Sequence, residues 1–405
     1  MSKLLVLKYG GSVLDSGSAI RRAAETVKEE LERGNRLVLV VSAMKGVTDQ
    51  LLSAAREIGP DTPREVIDQI IGLGEEQSVR LLVSALKSLG VDAVELTPNS
   101  PSWPIITNEE YGDAEPIIDA CITGTELGVS PLIRRGQVPV ICGFVGRSLN
   151  DNITTLGRGG GDTTATLLAR FLDADELVLV KDVGGVYTAD PEKVSDARLI
   201  EELSACEANL LASSGAKVLH DKVFRYKPEG LKIRLVSCEQ TLDGSGTVVT
   251  GNIPELEIVL HEKKVVKLVL LGDATSESDT LAAVTEAILK SEGTIVNIKA
   301  SGESTTIYVN SVLGEVLKEV HAGVDSKDRF KSVTGTDDLG LIRVWGQALS
   351  DPLADGDWIR DVLSSKGIPL HDLAFGESSV TVVLDWEMRA EALDHLCKYW
   401  SEQVE

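Results

Sequence analysis

Leu4-Leu5-Val6-Leu7-Lys8-Tyr9-Gly10-Gly11-Ser12 opens the chain with an apolar run that ends in a glycine turn, and the helix-period stretch Ile20–Leu31 follows it. A strand that passes through glycine into a helix is the first part of an α/β unit. The pattern recurs in Leu37–Val41, Gln77–Leu89, Val138–Ile141, Thr163–Leu172 and Leu177–Val180, which alternate strand-like and helix-like. Strands that are apolar on both faces and separated by helices predict a mostly parallel sheet with helices on both faces. Residues 1–252 read as one large α/β domain of this kind.

The character changes after Gly251-Asn252-Ile253-Pro254, a turn-forming cluster suited to a linker. Shorter elements follow: strand Lys264–Leu271, helix Thr280–Leu289, strands Thr294–Ile298 and Thr305–Val309, and helix Val312–Val320. Leu341–Trp345, Trp358–Leu363, Val380–Leu384 and Met388–Tyr399 then repeat much of that order. Gly302-Glu303-Ser304 before one β-rich run returns as Gly376-Glu377-Ser378 before another. The period is far longer than that of a solenoid, so it predicts two compact βαββα modules, 262–332 and 333–405.

The chain's 405 residues exceed what one core organises, and its 43% hydrophobic and 25% charged content is ordinary globular usage. A net charge of -23 argues against a nucleic-acid or anionic-membrane surface, each of which needs clustered Lys and Arg. Any phosphate site is therefore local, made of backbone N–H groups and a few bases. Cys121, Cys142, Cys206, Cys238 and Cys397 are scattered, with no C-x-x-C, which predicts reduced thiols in a cytoplasmic protein without structural zinc. The Leu4–Leu7 run is too short for a signal peptide, and no stretch nears the roughly 18 apolar residues of a membrane span. A soluble protein is expected.

Four segments carry chemistry. Glycines at Gly10 and Gly11 let backbone approach a phosphate, with Lys8 supplying charge, although Gly-Gly after a strand also makes a plain tight turn. The segment is neither a P-loop nor a dinucleotide fingerprint. Thr154-Thr155-Leu156-Gly157-Arg158-Gly159-Gly160-Gly161-Asp162 builds a backbone surface in front of a helix, with Arg158 suited to bidentate capture of a carboxylate or phosphate. Asp162 could equally cap that helix. Lys181-Asp182-Val183-Gly184-Gly185-Val186-Tyr187 leaves a strand at its C-terminal end, where open α/β sheets place ligands, or else is a solvated turn. The last is Gly215-Ala216-Lys217-Val218-Leu219-His220.

These four segments, in this order, resemble the aspartate kinases of the amino-acid kinase family. Val41-Ser42-Ala43-Met44-Lys45-Gly46-Val47-Thr48-Asp49, Gly74-Glu75-Glu76-Gln77-Ser78 and Gly143-Phe144-Val145-Gly146 extend the likeness over nearly the whole chain. The resemblance implies β-phosphorylation of aspartate by ATP with Mg2+, on a sandwich-like kinase domain followed by two ACT-like βαββαβ modules that sense amino acids and pair in a homodimer or larger homo-oligomer. It places Lys8 on the transferring phosphoryl group, with Gly10, Gly11, Ser12, Gly159 and Gly160 around the phosphates. Thr48, Glu75, Phe144, Arg158 and Gly161 fall to the amino acid, Glu75 facing its ammonium and Arg158 a carboxylate, while Asp162 orients the amino acid and is catalytic together with Lys8. Lys181, Asp182, Tyr187 and Lys217 fall to the nucleotide, and His220 reads as structural.

The chain also departs from that pattern. Gly161 stands where serine is usual, Asp151-Asn152-Ile153 replaces Gly-Arg-Thr, Glu192 replaces a nucleotide-contacting arginine that Lys193 could replace, and Asp221 replaces a proline. Tyr9, Ser12 and Val13 lean toward other branches of the family. Homoserine, which keeps the ammonium and α-carboxylate but offers a hydroxyl, is the alternative acceptor. A silent amino-acid sensor is a second alternative, opposed by retention of Lys8, Arg158, Asp162, Asp182 and Lys217 together. Ser276–Leu281 lacks the glycine that admits an effector to the first module, whereas Gly356 partly supplies one in the second.

Overall fold

Every residue of β1 (Leu4–Tyr9) is buried, as are all but the first of β2 (Arg36–Val41). A strand buried on both faces must lie inside a layered sheet, and these two form the middle of one. The computed structural model describes residues 2–59, 61–213, 219–239, 242, 246–271, 278–301, 303–325, 331–349, 356–376 and 378–404. Contacts divide the chain into two units, Met1–Ile253 and Pro254–Glu405.

In the first unit the elements joining and following those strands are α1 (Gly17–Glu32), α2 (Val47–Ile58), α3 (Arg64–Ser88), β3 (Ala93–Leu96), β4 (Ile106–Thr107) and α4 (Ile118–Gly124). A π-helical segment (Thr125–Val129), α5 (Ser130–Arg134), β5 (Val138–Cys142), β6 (Val145–Ser148), β7 (Ile153–Thr155) and α6 (Gly160–Phe171) come next. The rest are β8 (Glu176–Lys181), β9 (Val186–Tyr187), β10 (Leu199–Ile200), β11 (Glu202–Ser204), α7 (Ala205–Ser213), α8 (Lys222–Tyr226), β12 (Lys232–Ser237) and β13 (Gly246–Thr250).

The main sheet runs β11-β13-β12-β8-β1-β2-β5-β3, and only β12 with β13 is antiparallel. The mostly parallel α/β sheet is thus as the apolar runs foretell. Its order reverses at β1, which has β2 on one side and β8 on the other, so the crevice for a ligand lies past the carboxyl ends of these strands. A small sheet, β4-β6-β7, carries the chain from β5 toward α6.

Two helices differ from the sequence expectation. The helix read from Gln77 to Leu89 is the second half of α3, which begins at Arg64. Its first half hides its helical period because Asp68, Glu75 and Glu76 are buried there beside Gly72 and Gly74. A side chain at 74 would meet Ala43 Cβ at 3.0 Å and Val47 Cγ1 at 3.1 Å, so glycine allows α3 to lie close against the chain after β2. The glycine loop before the other helix is itself partly helical: α6 starts at Gly160, with Gly159 in the left-handed region at φ 73° as its N-cap.

The second unit contains β14 (Glu257–Leu260), β15 (Val265–Leu271), α9 (Ser278–Lys290), β16 (Thr294–Ala300), β17 (Ser304–Asn310), α10 (Leu313–Asp325) and β18 (Ser332–Trp345). After these come α11 (Asp357–Ser365), β19 (Leu370–Phe375), β20 (Ser379–Asp385) and α12 (Arg389–Val404). The order βαββα appears twice, from β15 to α10 and from β18 to α12. Both halves share the sheet β16-β17-β15-β18-β20-β19, because the long β18 pairs with β15 at its start and with β20 at its end. Each half keeps its own core, one around Leu268, Ile288 and Val316 and one around Ile342, Ile359 and Leu396. β14 pairs with β18, bringing Ile258 and Leu260 onto the second core from ahead of the first half. Gly302 and Glu377 of the repeated triplets, and Ser276 with Glu277 of the expected effector loop, lie outside the described residues. Among the described residues no helix is long and apolar enough to cross a membrane.

Candidate active site

Lys8 is the next-to-last residue of β1 and is only 8% exposed, so its ammonium must find a partner inside the protein. It finds Asp162, in the first turn of α6: Lys8 Nζ stands 2.6 Å from Oδ1, and Lys181 Nζ, from the end of β8, donates to Oδ2 at 3.1 Å. Burial alone would raise the Asp162 carboxyl, but Lys8 and then Lys181 outweigh it and hold the group well below the usual carboxylate range. Two ammonium groups thus meet at one carboxylate at the switch point. Asp162 is not the cap of α6, because Gly159 holds that position.

A cavity of about 280 Å³ opens here, lined by Lys8, Ser42, Thr48, Glu75, Phe144, Gly157, Arg158, Gly159, Gly160, Gly161 and Asp162. It joins residues from β1, the turn after β2, α2, α3, the β5–β6 turn and the start of α6. The first turn of α6 presents backbone N–H groups without helical partners, which with the helix dipole favour an anion. Arg158 is exposed at this cavity. Phe144 is in the left-handed region at φ 68°, and its N–H donates to Thr164 Oγ1 at 3.1 Å.

Glu75, in the middle of α3, is buried, and its Oε2 has no hydrogen-bond partner. Burial pushes its carboxyl up to about 8, against the opposing influence of the Ala43 backbone and the Lys8 charge. An unsatisfied buried acceptor in a cavity is a place for a donor, and an ammonium supplies charge as well. The cavity therefore offers cations and N–H groups toward anions and one carboxylate toward a cation.

The structure brings Lys8, Thr48, Glu75, Phe144, Arg158, Gly159, Gly160, Gly161 and Asp162 to one cavity, with Lys181 behind Asp162. Gly10, Gly11 and Ser12 do not line it. At Gly11 a side chain would lie 2.4 Å from the Ala43 carbonyl, so glycine there permits the turns after β1 and β2 to touch. Asp182 is exposed, its carboxylate accepting from the Val183 N–H at 3.0 Å, and Tyr187 sits in the short β9–β10 pair, so neither reaches the cavity. Lys217 lies outside the described residues. Asp151 and Asn152 lie in the β6–β7 turn and Ile153 begins β7, so none of them forms a cavity wall, and Asp151 takes φ 64°.

Ser42 and Gly157 also line the cavity; each lies in a segment quoted from the sequence but neither was given a role there. A hydroxyl on an apolar strand end carries no local signal; only its place one residue past β2, beside β1, puts it there. His220 stands against the glycine segment, its Cγ 2.3 Å from where a Cβ at Gly159 would sit, and its Nδ1 is 2.6 Å from Asp221 Oδ1.

Residues 3–237 match the Amino acid kinase family. The aspartokinase of Mycolicibacterium smegmatis is 31% identical over 396 residues, covering 94% of this chain and 92% of that protein. The aspartokinase of Corynebacterium glutamicum is 28% identical over 99% of this chain and 96% of its own. Among solved structures, the aspartate kinase from Synechocystis superposes with a TM-score of 0.72 at 25% identity, over 98% of this chain and 69% of that one. E. coli aspartokinase III, solved in complex with aspartate and ADP, gives a TM-score of 0.55 at 23% identity over 97% of this chain and 99% of that one, a likeness of fold.

Proposed function

The chain belongs to the amino acid kinase family, on its aspartokinase branch, and from that premise we propose that it transfers the γ-phosphoryl group of ATP to the β-carboxylate of L-aspartate, giving 4-phospho-L-aspartate and ADP. One observation supports this reading most: a single cavity combines the Lys8–Asp162–Lys181 cluster with the unsatisfied carboxylate of Glu75. An amino acid carries the ammonium that Glu75 lacks, and a phosphoryl donor carries the negative charge that the α6 N-terminus favours.

The acceptor needs no general base, because a β-carboxylate is ionised at neutral pH. What remains is alignment and neutralisation of charge as the phosphoryl group passes between oxygens. Lys8, fixed in place by Asp162, faces the equatorial oxygens of that group. Glu75 holds the ammonium and Arg158 a carboxylate, while Thr48 and Ser42 offer hydroxyls. Gly159 and Gly160 let backbone N–H groups approach without side chains, and Lys181, Asp182, Tyr187 and Lys217 are assigned to the nucleotide side.

Mg2+ is assigned to the phosphates. An ion carried in by a nucleotide needs only one or two carboxylates from the protein to complete it. Asp182, beyond the end of β8, is such a carboxylate. When bound, the ion would neutralise part of the phosphate charge.

The proposal extends to a cytoplasmic location, consistent with five free cysteines. It also extends to a homo-oligomer formed through the second unit and to an amino-acid effector there. The edge strands β16 and β19 expose Ile298 and Phe375, apolar side chains that pairing of copies would cover. E. coli aspartokinase III has been solved in complex with lysine and aspartate. ADP release measured with aspartate, homoserine, glutamate and N-acetylglutamate tests the acceptor. Turnover highest with aspartate agrees with the proposal, and turnover confined to another acceptor rejects it.

A further inference from the structure

We propose that a second cavity on the first unit, bounded by Pro101, Trp103, Ile106, Asp119, Leu127 and Arg147, binds a small aliphatic α-amino acid. This cavity has a volume of about 490 Å³ and shares no residue with the kinase cavity.

Arg147 supplies the anion-binding end. It lies on β6, where its Nη1 donates to the Pro98 carbonyl at 2.9 Å. Its Nε is buried, makes no hydrogen bond, and stands 3.6 Å from Asp151, whose side chain is 86% exposed. A guanidinium whose Nε–H makes no hydrogen bond, and whose ion pair is long and made to an exposed carboxylate, is suited to take a ligand carboxylate instead. Asp119, exposed in the first turn of α4, supplies the opposite charge at the mouth of the cavity, and its carboxylate makes no hydrogen bond or ion pair among the described residues.

Apolar surface completes the site. Trp103 is 2% exposed, its ring N–H donating to the Ile105 carbonyl at 2.8 Å, so the ring is fixed. Leu127 is 76% exposed, a large apolar side chain left in water. One carboxylate-seeking group, one ammonium-seeking group and an aliphatic surface are the three parts of an aliphatic α-amino acid.

The helix that carries this wall is specially shaped. It passes through the π-helical segment Thr125–Val129, a form that recurs at functional sites. Gly128 and Gly124 press it onto the opposite wall, since side chains there would lie 2.5 Å from the Ser102 carbonyl and 3.2 Å from Pro104 Cα. Thr125 Oγ1 is buried in the same segment with no partner.

Isothermal titration calorimetry on the full chain tests the proposal, with saturating aspartate to fill the kinase site. The probes are L-leucine and L-methionine, with L-leucinamide and 4-methylpentanoate as controls that each lack one charged end. At least one amino acid binds the natural protein, both controls bind more weakly, and Arg147→Met weakens binding by about tenfold or more. Because Arg147 also holds Pro98, Asp119→Asn and the cavity-filling Ala120→Trp provide independent variants that weaken binding several-fold. Kinase turnover in Asp119→Asn, measured alongside, reports on the kinase assignment separately. No binding of either amino acid, or binding that Asp119→Asn and Ala120→Trp both leave unchanged, overturns the proposal.

Discussion

Replacing Glu75 by glutamine keeps the shape of the side chain and removes its charge, which isolates what that charge does. In the free protein the Glu75 carboxyl is pushed up to about 8 by burial, so it is mostly neutral at pH 6.5 and mostly ionised at pH 8.5. To hold an ammonium it must lose its proton. Affinity of the natural protein for the amino acid therefore rises with pH toward about 8 and then levels, by up to about tenfold per unit where steepest. A hydrogen bond to a buried charged group is worth about 1.5–3 kcal/mol, so Glu75→Gln raises KM for aspartate roughly ten- to hundredfold at pH 8.5. At pH 6.5 the gap narrows, because the natural protein must release a proton and the variant does not, and KM for ATP is nearly unchanged at both. Stability gives a control of known sign. Between the ordinary carboxylate range and about pH 8 the folded state holds a proton that the unfolded state has lost, so the natural protein loses stability as pH rises through that window. Glu75→Gln removes that loss and melts no lower than the natural protein at pH 8.5. Initial rates with aspartate and ATP varied at both pH values, together with thermal melts, supply every quantity. A folded variant whose KM for aspartate at pH 8.5 stays within about threefold of the natural value refutes the ammonium assignment.

Lys8→Ala lowers kcat by about a hundredfold or more, the scale of losing an electrostatic contact to the transition state, and near-normal turnover by folded protein would remove Lys8 from the site. Arg158→Ala raises KM for aspartate far more than KM for ATP, and the reverse pattern in steady-state kinetics would move Arg158 to the nucleotide. Gly161→Ser shifts kcat/KM for aspartate over homoserine several-fold toward aspartate, because a site that hydrogen-bonds a polar group discriminates more sharply than one that only accommodates it. The new Cβ would meet Ser42 Oγ at 2.9 Å, a hydroxyl that can rotate away, and Lys8 Cε at 3.2 Å, and Gly161 has no positive φ. An unchanged ratio would show that position 161 does not set specificity.

The sheet was legible because burial on both faces leaves a local mark: Leu4–Leu7 and Leu37–Val41 have no polar side to show. Glycine-rich turns at strand ends were legible for a similar reason. α3 was half hidden, since Asp68, Glu75 and Glu76 interrupt its apolar period with buried charged side chains. Asp68, for instance, accepts from the backbone N–H groups of Gly112 and Thr155 at 2.9 Å. The pairing of Asp162 with both Lys8 and Lys181 could not be read locally, because it depends on β1 and β8 being neighbours. The place of Ser42 in the cavity was hidden for the same reason, and Glu75 drew notice through family likeness rather than through any pattern of its own. β14 was missed as a partner of the second half because the contact skips the whole first half of that unit.

The account rests on a carboxylate as the phosphoryl acceptor, and trapping with hydroxylamine tests that bond directly. The protein is incubated with ATP, Mg2+ and either aspartate or homoserine in the presence of hydroxylamine, and hydroxamate is measured against ADP. An acyl phosphate is attacked by hydroxylamine and a phosphoester is not, so aspartate is predicted to yield hydroxamate in step with ADP. ADP release with homoserine, accompanied by a hydroxylamine-stable phosphoester and no hydroxamate from aspartate, would contradict it.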